Sequence, residues 1–103
     1  MTRVLIFIIA GATAMGAWPA DEFAVGERTA AKYRCATCHG RAGISFDPRY
    51  PNIAGQQEIY LESRLRSFRA GEYPASKMTQ QSEPLSDQDI QNLAAYYSRL
   101  SKP

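Results

Sequence analysis

Histidine and cysteine are scarce in this chain, with one His and two Cys among 103 residues. Two cysteines cannot build the multi-bridge framework of a disulfide-stapled domain. With one histidine they also fall short of the four ligands of a structural zinc site, which would need a carboxylate or a second chain to be complete. Charge of one sign is lacking too. Twelve basic residues stand against ten acidic ones, too small an excess for a dedicated nucleic-acid binder. No segment alternates apolar and polar residues as a half-buried strand does, and no repeat or low-complexity tract occurs. What remains is one small domain built from helices and loops.

Apolar sequence without interruption is confined to the N-terminus. Met1-Thr2-Arg3 is a short positive start, Val4 to Ala10 is apolar, and small residues follow from Gly11 to Ala17. That is the three-part layout of a secretory signal, expected over residues 1–20 with the cut between 14 and 20. The 17 uncharged residues between Arg3 and Asp21 are diluted by Gly11, Gly16 and Pro19. A spanning helix wants about 20 apolar residues, so an uncleaved membrane anchor is the lesser reading. The mature domain is then 21–103. At that size a core rarely contributes more than about 3–5 kcal/mol unaided, which calls for a staple.

Three helices are expected. The first covers Asp21–Arg34, where Gly26 and Ala30 form a flat patch that a second helix can approach. Another starts at Gln56 or Gln57 and ends near Ala70, with Leu61, Leu65 and Phe68 as one apolar stripe and Gly71 as its stop. The last begins at Ser86, where Ser86 and Asp89 read as a capping box and Leu85 and Ile90 as a hydrophobic staple. Ile90, Leu93, Ala94, Tyr97 and Leu100 make its stripe. Between them lie a Gly- and Pro-rich loop over 40–55 and a non-helical segment over 74–81. Loops so long in so small a domain need something to fold around.

Both cysteines adjoin the histidine. Cys35-Ala36-Thr37-Cys38-His39 is C-x-x-C-H, the attachment signature for a c-type haem. Two thiols separated by two residues can reach two vinyl groups of one porphyrin, and the residue after the second is then held over the iron. A disulfide across two residues closes too small a loop to stabilise much, and a thioredoxin-like redox pair wants a βαβ context that is missing. One signature means one haem per chain.

No second His exists, so bis-histidine ligation within the chain is excluded. Met1 and Met15 depart with the signal, which leaves Met78, 39 residues after His39, as the sixth ligand. The rival roles are a core gap-filler for Met78 and an open iron that binds small molecules. His39 needs an acceptor for its other ring N–H. Pro51 has a free carbonyl in the right loop, although it serves equally well as a loop stiffener. Ile53, Leu61, Leu65, Phe68, Leu93 and Tyr97 are the candidate pocket wall.

The blocks Cys35-x-x-Cys38-His39-Gly40, Tyr50-Pro51-Asn52-Ile53-Ala54-Gly55-Gln56, Tyr60-Leu61, Met78, Leu85 to Ile90 and Ala94 to Tyr97 resemble a small class I cytochrome c. They are most similar to one half of di-haem bacterial cytochromes c, or to the haem domain of flavocytochrome c sulfide dehydrogenases. The resemblance implies an all-α fold wrapped around covalently bound haem c. It implies His39 and Met78 as axial ligands, Pro51 as the carbonyl partner of His39, and a crossing of the first and last helices at Gly26 against Tyr96 or Tyr97.

Filled axial positions imply single-electron transfer, with no small-molecule substrate at the iron. The expected partners are redox proteins met transiently in the periplasm. The alternative is a place as the haem-carrying subunit of an oxidoreductase complex such as a flavocytochrome. An enzyme or gas sensor would require Met78 off the iron, and a dithiol or zinc module would be colourless. Arg41, Arg49, Arg64, Arg66, Arg69 and Lys77 are candidates for a docking patch, with Arg41 or Arg49 also able to meet a haem propionate.

Overall fold

A computed structural model describes residues 2–5 and 20–103 of the chain. Five helices follow one another: α1 (Ala20–Lys32), α2 (Ala36–His39), α3 (Glu58–Arg69), α4 (Lys77–Ser82) and α5 (Asp87–Ser98). Strands are absent among the described residues. The expected targeting segment falls almost wholly outside the described residues, and no described helix is long and apolar enough to cross a membrane.

The core forms where α1 crosses α5. Ile90, Leu93, Tyr96 and Tyr97 of α5 meet Ala30 of α1, and Leu85 closes the end of the cluster. Gly26 makes the crossing possible. A Cβ there would lie 2.5 Å from the Tyr96 Cβ and 2.7 Å from the Asn92 carbonyl oxygen, so the contact expected with Tyr96 or Tyr97 falls on Tyr96. The Phe23 ring packs on Tyr96 at 4.9 Å between centroids. Burying Ile90 and Leu93 alone contributes about 1.5–3 kcal/mol each against exposure.

The start of α5 is built as its sequence reads. The Ser86 side chain accepts from Asp89 N–H at 3.0 Å, and Asp89 Oδ2 accepts from Ser86 N–H at 3.0 Å. Leu85 and Ile90 are both buried. Asp89 Oδ2 also accepts from the Tyr33 hydroxyl at 2.8 Å, which ties the end of α1 to the start of α5. In return the carboxylate raises the Tyr33 phenol above its ordinary pKa.

Two elements differ from expectation. The first helix ends at Lys32, and Arg34 takes the left-handed conformation at φ 56°, so the chain breaks before a separate turn, α2, that carries the C-x-x-C-H motif. The segment over 74–81, expected to be non-helical, contains α4. Ser76 caps that helix by accepting from Met78 N–H at 3.1 Å, and α4 packs on α3. A six-residue helix is too short to hold itself in water. Tertiary packing, which composition does not display, is what forms it.

Candidate functional site: a hollow lined by Cys35, Cys38, His39 and Met78

No residue of α3 is buried, although Leu61, Leu65 and Phe68 recur as one stripe. The stripe borders a hollow of about 600 Å³, and Leu61 and Leu65 also rest against the edge of the α5 core. Ile53 from the 40–55 loop and Leu93 and Tyr97 from α5 complete the apolar wall. All six side chains expected there are present. So large an apolar hollow in so small a domain is the size of a cofactor site.

The chemistry-bearing residues converge on it. Cys35, Cys38, His39, Pro51 and Met78 all line the hollow, and both thiols are free. Burial pushes the Cys35 thiol up despite a hydrogen bond with the Tyr97 hydroxyl, and burial likewise raises Tyr97. His39 is only 7% exposed. Its Nδ1 lies 2.9 Å from the Pro51 carbonyl oxygen. A carbonyl can only accept, so Nδ1 carries a proton, and in the neutral ring the lone pair is then on Nε2.

The 40–55 loop is built to hold that carbonyl. Gly40 sits at φ 78°, where a Cβ would fall 1.9 Å from the Ile44 carbonyl oxygen. The Gly43 carbonyl accepts from Ile53 N–H at 2.8 Å and Ala54 N–H at 3.0 Å. Ser45 Oγ donates to the Cys38 carbonyl at 3.1 Å, and Ser45 N–H donates to Asn52 Oδ1 at 2.7 Å. Gly55 N–H then reaches the Tyr97 carbonyl at 2.9 Å and fastens the loop to α5.

Charge around the hollow is of one sign. Arg34, Arg49, Arg64 and Lys77 line it, and among the described residues no carboxylate does. Asp47 meets Arg49 at 2.6 Å just outside, and the guanidinium holds the carboxyl below its usual range. Arg64 has an aromatic setting, with its hydroxyl partner Tyr73 at 2.8 Å and the Phe68 ring 4.8 Å below. Arg41 is not among the lining residues, so of the two arginines considered for a propionate only Arg49 borders the hollow. Arg66 and Arg69 both bind Asp87, at 3.0 and 2.6 Å, in solvent-exposed ion pairs. Tyr50 and Gln81 also line the hollow. Tyr50 opens one of the blocks that carry the resemblance, whereas neither type nor spacing marks Gln81 in the sequence.

Two thiols, an imidazole with a free Nε2 and one thioether, on an apolar wall rimmed by cations, fit a porphyrin with its iron and carboxylates. Among the described residues no three His, Cys, Asp or Glu side chains gather as they would for a bare metal ion. Residues 21–96 match the family described as cytochrome c oxidase, cbb3-type, subunit III. The chain belongs to the cytochrome c family.

Cytochrome c-554(548) of Halomonas halodenitrificans is 45% identical over 67 residues, covering 62% of this chain and 81% of that protein. The thiosulfate dehydrogenase electron acceptor of Thiomonas intermedia is 37% identical over 101 residues, covering 97% of this chain and 45% of that protein. The fold matches reduced cytochrome c4 from Pseudomonas stutzeri with a TM-score of 0.70 and 24% identity, over 81% of this chain and 50% of that one. The chain thus spans about half the length of both larger proteins. It is an all-α c-type cytochrome with covalently bound haem c, an electron-transfer protein and not an enzyme.

Proposed function

We propose that this cytochrome is a periplasmic monohaem electron shuttle in which Cys35 and Cys38 form the thioethers and His39 and Met78 are the axial ligands. The observation that carries the reading is the commitment of His39 Nδ1 to Pro51. It leaves Nε2 as the ring's only donor atom toward a hollow that Met78 also borders. Haem c bound there supplies a one-electron iron couple.

The chain's own residues tune that couple. Pro51 fixes the imidazole orientation and raises its basicity. The Met78 sulfur favours the reduced state and a higher potential than a second imidazole would. Ile53, Leu61, Leu65, Phe68, Leu93 and Tyr97 make much of the wall apolar, which would hold water away from a bound haem. With His39 and Met78 both holding the iron, no site on it would be left for a substrate. Residues 1–20 direct export and are removed, which leaves 21–103 as the working domain.

A second reading, a dedicated haem-carrying acceptor for one oxidoreductase, is favoured by the similarity to a protein named as the electron acceptor of a thiosulfate dehydrogenase. In both readings the partners are redox proteins.

The test is an optical spectrum of the exported, haem-loaded protein and of Met78→Ala. The oxidised wild type should carry the weak far-red band of iron–thioether bonding. The variant should keep its covalent haem, lose that band and bind exogenous ligands readily. Identical spectra for the two proteins would remove Met78 from the iron.

A further inference from the structure

Lys77 and Tyr50 lie 27 positions apart in sequence, yet Lys77 Nζ donates to the Tyr50 hydroxyl at 3.0 Å. Each immediately precedes a residue of the site. Tyr50 is followed by Pro51, whose carbonyl takes the His39 proton, and Lys77 is followed by Met78. Both residues line the hollow itself, where Lys77 is exposed and Tyr50 half-buried. Among the described residues no other hydrogen bond joins the 40–55 loop to the 73–82 segment.

The surroundings reinforce the contact. The Tyr50 ring lies under two cations, with Lys77 Nζ 5.5 Å and the Arg49 guanidinium 5.7 Å from its centroid. Asp47, held by Arg49, adds an attractive negative charge near Lys77. On the far side of Met78 the Thr79 hydroxyl donates to the Tyr73 carbonyl, and on the Lys77 side Ser76 caps the Met78 N–H. Met78 therefore sits on a single turn and a half of helix that is pinned at both flanks. The Lys77 pin is the one that reaches across the hollow.

We propose that Tyr50 and Lys77 form a latch across the hollow that holds Met78 in its ligating position, making both of them positioning residues. The proposal rests on Met78 being the sixth ligand. A latch of this kind controls how easily another ligand displaces the sulfur, and leaves the covalent attachment at Cys35 and Cys38 untouched. Removing one hydrogen bond of ordinary strength should then favour displacement by roughly three- to tenfold.

Imidazole is the probe, titrated optically at fixed pH into the oxidised haem-loaded protein. Tyr50→Phe and Lys77→Gln should each bind it about three- to tenfold more tightly than wild type. The double variant should bind no more tightly than either single one, and Lys77→Arg, which can still donate to the hydroxyl, should return toward wild type. Reduced α-band intensity and haem content should be the same throughout. Unchanged imidazole affinity in both single variants overturns the latch, as does an effect in the double variant equal to the product of the two. Wild type and Met78→Ala binding imidazole equally would instead show that the ligand assignment beneath the proposal is wrong.

Discussion

One oxygen of Asp89 accepts both the Ser86 N–H and the Tyr33 hydroxyl, so a single carboxylate starts α5 and fastens α1 to it. Ser82 is the opposite case. It is fully buried and its hydroxyl has no hydrogen-bond partner among the described residues. A buried hydroxyl without a partner carries its desolvation cost with nothing in return. Ser82→Ala should therefore leave stability unchanged or raise it by up to about 1 kcal/mol, read from the midpoint and slope of denaturant unfolding. At this scale the motif residues were legible because spacing alone brings them together: C-x-x-C-H is local. Arg64 and Lys77 stood out only as charges for a docking patch and Tyr50 only within a resembling block, since a cation beside an aromatic ring carries no mark in the chain until the fold closes.

The elements divide by what their apolar face meets. The α5 face is buried against α1, with Ile90 in the first turn at 0% exposure, although Leu93 and Tyr97 also border the hollow. That of α3 has no buried residue because it borders the hollow. Periodicity reads the same in both. The α1–α5 crossing is where a single atom decides the packing, since a Cβ on Gly26 would collide with Tyr96 and the Asn92 carbonyl. Gly26→Ala should cost about 1–3 kcal/mol through overpacking, measured by denaturant unfolding of the haem-loaded protein. Better helix propensity at that position would offset part of the cost. The stops and starts at Gly71, with φ 81°, and at Ser86 followed the sequence because caps are local. The α4 helix did not. Its cap, Ser76, lacks an acidic residue three positions on, and its six residues depend on α3 for support.

For the whole molecule, the buried core is essentially one face of α5 with Ala30 and Leu85, and half of the fold is arranged around the hollow. Such a core falls short of holding every element. Replacing Cys35 and Cys38 by Ala removes the covalent tethers. The resulting haem-free chain should lose the cooperative melt and much of the helical circular dichroism that α3 and α4, 12 and 6 residues, contribute. The contacts of α1 with α5 should be the last to go. A haem-free double variant with the helicity and sharp melt of the wild type would show that the hollow needs no filling.

By itself the sequence determined the fold class, the three long helices, the haem signature and the shortlist of ligands. Each of these depends on local spacing or on how rare a residue type is, and one His and one Met in 21–103 leave few choices. Tertiary structure alone decided the formation of α4 on α3, the 2.9 Å approach of His39 Nδ1 to the Pro51 carbonyl, and the meeting of Tyr50 with Lys77. These are contacts between segments far apart in the chain, formed only when α3, α5 and the 40–55 loop close around a common hollow. Residue order carries no direct signal for them.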